Sequence, residues 1–204
     1  MARSLVKTHI RGFDDEVLRG GIPQGHVILI RGASGTMKSS LAYYVLYHNA
    51  LAGTPGLYVT LEQSAGSLLE HVASLGLRAT SVSDALPILD LSRGREHLEE
   101  MVAKVGAMTD ATASRDQALL AVLKGKILEL RRKRSFQILA IDSWDALEEE
   151  FLADGILHLR LEPVTEVAYQ RRVQCVKMRS VNQDSDDRTL LFENGRFEVA
   201  RAIG

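Results

Sequence analysis

Gly32-Ala33-Ser34-Gly35-Thr36-Met37-Lys38-Ser39 is the stretch on which the fold reading turns. It follows an apolar run, His26-Val27-Ile28-Leu29-Ile30, and opens onto a helical pattern with Leu41, Ala42, Val45 and Leu46 on one face. Strand, glycine-containing loop and helix in that order form the context of a phosphate-binding loop. In such a loop, backbone N–H groups and the positive helix end wrap nucleotide phosphates. The expected cradle is Gly32, Ala33, Ser34, Gly35, Thr36, Met37, Lys38, Ser39 and Ser40. Lys38 neutralises the terminal phosphates and the Ser39 hydroxyl binds magnesium. Met37 stands where the pattern Gly-x-x-x-x-Gly-Lys-Ser/Thr has its second glycine. Because that position enters a helix, ordinary φ is expected there and methionine is tolerated. The competing reading is an ordinary glycine turn, which any α/β protein carries.

Around this loop, 204 residues are enough for one domain with its own core. A hydrophobic fraction of 46% and a charged fraction of 25% match ordinary globular proteins. The formal net charge of -1 gives no overall field favouring nucleic acid. One cysteine, Cys175, has no intrachain partner and reads as a core thiol suited to a reducing, cytoplasmic setting. No apolar run approaches membrane-span length, and MARSLVKTHIRGFDDE lacks the apolar centre of a signal peptide.

Further along, the pattern predicts a helix from Lys38 to about Leu51 and a strand over Leu57–Leu61. A helix over Ser64–Leu75 and a short strand near Leu86–Leu89 follow. Two helices, about Arg95–Val105 and Asp116–Arg134, lead into the apolar strand Phe136–Ile141, which ends in Asp142. After Gly155 strands dominate: Ile156–Leu161, Ala168–Met178, and a hairpin of Thr189–Phe192 with Arg196–Val199 around Asn194-Gly195. The expected fold is α/β, mainly a parallel sheet flanked by helices, with an antiparallel hairpin at its C-terminal edge. Asp142 stands outside the carboxyl end of a strand, where open parallel sheets present ligands. It can hold magnesium through water while Ser39 binds directly, or cap a following helix.

On these residues the chain resembles the RecA/KaiC-like ATPases, in their KaiC-related branch, over nearly its whole length. Ile10 to Gly25, with its Gly20-Gly21-Ile22-Pro23-Gln24-Gly25 ending, is similar to that family's lead-in to the loop. Val59-Thr60-Leu61-Glu62-Gln63-Ser64 is similar to the segment whose paired glutamates face the attacking water; Glu62 matches the first, and Gln63 replaces the second. The resemblance makes Glu62 a water-orienting carboxylate. Val176-Lys177-Met178-Arg179 resembles the family's Lys-x-Arg element, which in hexameric relatives reaches a neighbour's γ-phosphate. Lys177 and Arg179, on alternate strand residues, would share one side.

The resemblance also implies a helix and a strand between the Asp142 strand and Ala153-Asp154-Gly155, where this chain has only Ser143 to Asp154. That strand lies between the loop strand and the Asp strand in relatives and carries a γ-phosphate-sensing residue. Either Ile156–Leu161 takes its slot, or residues are missing from the numbering, or the chain has lost it. The expected function is Mg-dependent ATP binding with slow hydrolysis by a homo-oligomeric regulatory ATPase, a hexameric ring being the family pattern, with a regulatory protein partner. The rivals are a non-hydrolysing nucleotide sensor and a recombinase-like DNA-binding ATPase. For the last, Arg131-Arg132-Lys133-Arg134 is the basic feature, read here as a solvated helix end.

Overall fold

The computed structural model describes residues 4–92, 115–142 and 153–201. A short antiparallel ribbon of β1 (Leu5–Val6) and β2 (Ile22–Pro23) leads in. Within it the buried Asp14 accepts from the Thr8 N–H and hydroxyl, both at 2.9 Å, and from the His9 N–H at 3.0 Å. A buried carboxylate so satisfied by backbone and hydroxyl donors anchors the lead-in segment.

The chain then runs through β3 (Ile28–Arg31), α1 (Lys38–Leu51), β4 (Gly56–Thr60), α2 (Ala65–Ser74) and β5 (Ile88–Asp90). After these come α3 (Arg115–Lys133), β6 (Ile138–Asp142), β7 (Gly155–Pro163), β8 (Tyr169–Met178), β9 (Arg188–Glu193) and β10 (Arg196–Arg201). The helix expected over Arg95–Val105 lies outside the described residues. The predicted strands and remaining helices are present within a few residues of their expected bounds.

Two larger sheets result. One has the order β5-β4-β6 and is wholly parallel, with Thr60 beside both Asp90 and Asp142. The other has the order β10-β9-β8-β7-β3; only β3 and β7 are parallel in it, Ile28 lying opposite Gly155. Antiparallel pairing therefore begins at β7–β8 and is more extensive than a terminal hairpin. The β9–β10 turn places Asn194 and Gly195 at φ 51° and 75°, the left-handed pair that a two-residue hairpin requires.

Alternation along β4 divides the core. Leu57 and Val59 face Leu123 of α3, with Ile127, Leu130 and Phe136 packed around them. Tyr58, on the other face, joins the main core with α1. Helix α1 is buried on more than the one face its sequence suggested: Tyr43, Tyr44 and Tyr47 are buried beside Leu41 and Leu46, while Ala42 and Val45 are half-buried. The reason is its position in a core that draws on both sheets, from Ile138 and Ala140 of β6 to Leu157, Leu159 and Val173 of β7 and β8. Each such apolar side chain contributes about 1.5–3 kcal/mol on full burial. Cys175 lies unpaired in the same core, where burial pushes its thiol up to about 11, as expected of an inert core thiol.

Strand β7 does not enter the position between β3 and β6. It lies on the far side of β3, between β3 and β8. Among the described residues, no strand is hydrogen-bonded between β3 and β6. Leu139 and Ile141 of β6 are 39% and 38% exposed on the face opposite α1.

Candidate nucleotide-binding site

The loop between β3 and α1 is shaped by two close constraints. A Cβ added to Gly32 would meet the Leu159 carbonyl oxygen of β7 at 2.3 Å, so no side chain fits there. Gly35 takes φ 83°, and buried Thr36 closes the turn by donating its hydroxyl to the Ala33 carbonyl at 2.8 Å. Glycine at 35 meets the backbone demand without strain.

Met37 departs from the expectation. It is the N-cap of α1 at φ 72°, ψ 29°, in the left-handed region and not at ordinary helical φ. Ending the loop and starting the helix needs this turn, which is why the pattern asks for glycine; methionine takes it at about 1–2 kcal/mol. Its half-buried side chain packs against the main core, offsetting part of that cost.

Lys38 donates from Nζ to the Gly32 carbonyl at 2.6 Å and the Ala33 carbonyl at 3.1 Å, so its ammonium lies over the loop. Ser39 and Asp142, distant in sequence, meet: the Ser39 hydroxyl donates to Asp142 Oδ1 at 3.0 Å. The second carboxylate oxygen is also taken. Tyr58 of β4 donates its hydroxyl to Asp142 Oδ2 at 2.7 Å. Burial, then the negative charge of Asp142, pushes the Tyr58 phenol well above its ordinary range, so it stays a donor.

Tyr58 escaped the sequence reading because a tyrosine in an apolar strand reads as core. Its place two residues before Thr60, the register partner of Asp142, becomes informative only once the strands are paired. A second missed contact ties the loop helix to α2: the buried Ser40 hydroxyl and His71 Nε2 lie 2.8 Å apart.

Glu62 is exposed just beyond β4. Thr60 closes that turn by donating its hydroxyl to the Gln63 carbonyl at 2.6 Å, and Ser64 caps α2 by accepting from the Ser67 N–H at 3.2 Å. Strand β4 lies between β5 and β6, with Thr60 opposite Asp142, so Glu62 follows the end of the strand next to the one that ends in Asp142.

Lys177 and Arg179 are not brought to this loop. Lys177 donates from Nζ to the Ala153 carbonyl at 2.6 Å, and Arg179, just past the end of β8, pairs with Asp154 at 3.3 Å. The Val27 N–H, first, holds the Asp154 carboxyl below the usual range, with Arg179 adding to it. These residues sit at the start of β3 and β7, whereas the loop follows the end of β3. Leu159, beside Gly32, is four residues along β7 from Gly155, or about 13 Å.

A helix-opening phosphate loop whose serine meets a carboxylate from the end of a parallel strand defines a P-loop nucleotide-binding protein of RecA-like α/β fold. Comparison with known proteins narrows the class. The family model of the KaiC ATPase matches residues 6–150, and the chain belongs to that family. The circadian clock oscillator protein KaiC of Rippkaea orientalis is 30% identical over 181 residues, covering 83% of this chain and 32% of that protein. Circadian clock protein KaiC2 of Synechocystis is 28% identical, covering 96% of this chain and 40% of its own length. That alignment runs over 230 positions, more than this chain has, so the relative holds residues with no counterpart here. This chain thus spans 32% and 40% of the lengths of these two relatives. A crystal structure of a KaiC-like protein from Pyrococcus horikoshii OT3 superposes with a TM-score of 0.71 at 22% identity, covering 98% of this chain and all of that one.

Proposed function

We propose that this chain binds Mg·ATP at the Gly32–Ser40 loop and hydrolyses it slowly as a homo-oligomeric regulatory ATPase. The observation that carries the reading is the 3.0 Å contact between Ser39 and Asp142 at the start of a helix whose first residue, Lys38, holds its ammonium over the loop. A hydroxyl and a carboxylate are hard oxygen donors of the kind magnesium takes, and they fit that ion without a third protein ligand because it keeps most of its waters. Ser39 would hold it directly and Asp142 through water; when bound, the ion neutralises charge on the β- and γ-phosphates. Lys38 exchanges its loop carbonyls for phosphate oxygens. Glu62 orients the attacking water, and Lys177 with Arg179 serve a neighbouring subunit's γ-phosphate.

Binding and turnover measured on one sample test this reading. Lys38→Ala is expected to weaken ATP binding by about 10²-fold, as loss of a charge-assisted phosphate contact implies. Glu62→Gln should keep the affinity and lower turnover by about 10²-fold. Unchanged affinity in Lys38→Ala rejects the loop assignment.

One observation favours a second reading, a nucleotide sensor that does not hydrolyse. Among the described residues the position between β3 and β6 holds no strand, and in the resemblance that strand carries the γ-phosphate-sensing residue. We assign the relatives' additional residues to this position. Tight binding with no turnover in the assembled protein selects the sensor. A salt-dependent shift of single-stranded DNA would select the recombinase-like alternative.

A further inference from the structure

Among the described residues around the site, Tyr58 carries a hydroxyl that the packing of its ring does not require. Its ring packs in the core, tilted against Tyr43 at a centroid distance of 5.6 Å, and phenylalanine would fill that space equally. Its hydroxyl nevertheless ends 2.7 Å from Asp142 Oδ2, within a fully buried residue. The same oxygen lies 3.5 Å from the Ser39 carbonyl, so it sits against both residues of the metal-holding pair.

We propose that Tyr58 is a positioning residue that makes Asp142 an outer ligand selective for magnesium. This rests on the reading of Ser39 and Asp142 as the magnesium site. A free carboxylate can rotate and offer both oxygens to a cation. Here Ser39 fixes Oδ1 and Tyr58 occupies a lone pair of Oδ2, so the plane of the group is set from both ends. Bidentate coordination needs the carboxylate to turn toward the ion, out of the plane that these two bonds set, and so works against the Tyr58 bond and toward an unsatisfied buried phenol. Calcium readily takes carboxylates bidentately at variable geometry, whereas magnesium retains its water shell and is served by an acceptor that does not move. The phenol therefore penalises the calcium mode and leaves the magnesium mode intact.

The test is the affinity for a fluorescent ATP analogue in magnesium, in calcium and in EDTA, for wild type, Tyr58→Phe and Asp142→Asn. Tyr58→Phe should bind as wild type in EDTA within about twofold. Its magnesium-dependent gain in affinity should fall by about 10-fold, the usual loss on removing a hydrogen bond behind a metal ligand. Its calcium-to-magnesium affinity ratio should rise. An unchanged ratio overturns the proposal, as does an equal loss in all three media, which would mark Tyr58 as merely structural. If Asp142→Asn leaves the magnesium gain of wild type intact, the site reading itself fails and the Tyr58 role goes with it.

Discussion

At Met37 two contributions of similar size oppose each other. The left-handed backbone costs about 1–2 kcal/mol, and half-burial of the side chain returns about 1 kcal/mol. Met37→Gly removes both and is expected to leave stability within about 1 kcal/mol of wild type in urea unfolding. Met37→Ala keeps the backbone cost and loses most of the packing, so it should be less stable than the glycine variant by about 1 kcal/mol. That order reverses helix propensity, in which alanine exceeds glycine by a similar margin. Alanine proving the better substitute would mean that residue 37 has ordinary helical φ.

Elements differ in how firmly they are tied, and two glycines measure it. Gly32→Ala would drive a Cβ into the backbone of β7, prising β3 from its parallel partner; a loss of about 2 kcal/mol or more in stability is expected. Gly125, within α3, has no atom within 4 Å of where its Cβ would stand, so Gly125→Ala should add about 0.5–1 kcal/mol. Thermal or urea unfolding distinguishes the two directions. The same contrast explains what could be read beforehand. Strands, helices and the loop follow from local patterns: apolar runs, Ser64 as a cap, Asn194-Gly195 as a turn. The Ser39–Asp142 meeting was also accessible, because a loop serine and a strand-end aspartate have a known spatial relation in such folds. The left-handed backbone of Met37 was signalled by the glycine that the pattern places there, whereas the burial around α1 and the Tyr58 hydroxyl depend on what comes to lie beside them. The distribution of strands between two sheets likewise follows from long-range pairing, which local spacing does not encode.

For the whole molecule, the separation between Lys177–Arg179 and the loop of the same chain makes a directional prediction. Arg179→Ala retains its own loop, and Lys38→Ala retains its own distal cations, so mixing the two inactive variants should regain turnover that neither has alone. Co-assembled mixtures that stay inactive at every ratio remove the trans role; the Arg179–Asp154 pair is then only an exposed ion pair, worth little. Within one chain, the arrangement of sheets has a mechanical meaning. The loop is mounted on one plate, β10 to β3, and the aspartate, phenol and Glu62 on another, β5 to β6. No backbone ladder joins the plates among the described residues, while α1 lies in contact with both. A ligand grasped from the two sides acts as a rivet, and its binding energy becomes resistance to their sliding. Amide exchange should register this: protons of residues 56–60 and 138–142 should slow on nucleotide addition more than those of the β9–β10 hairpin, which one plate holds by itself.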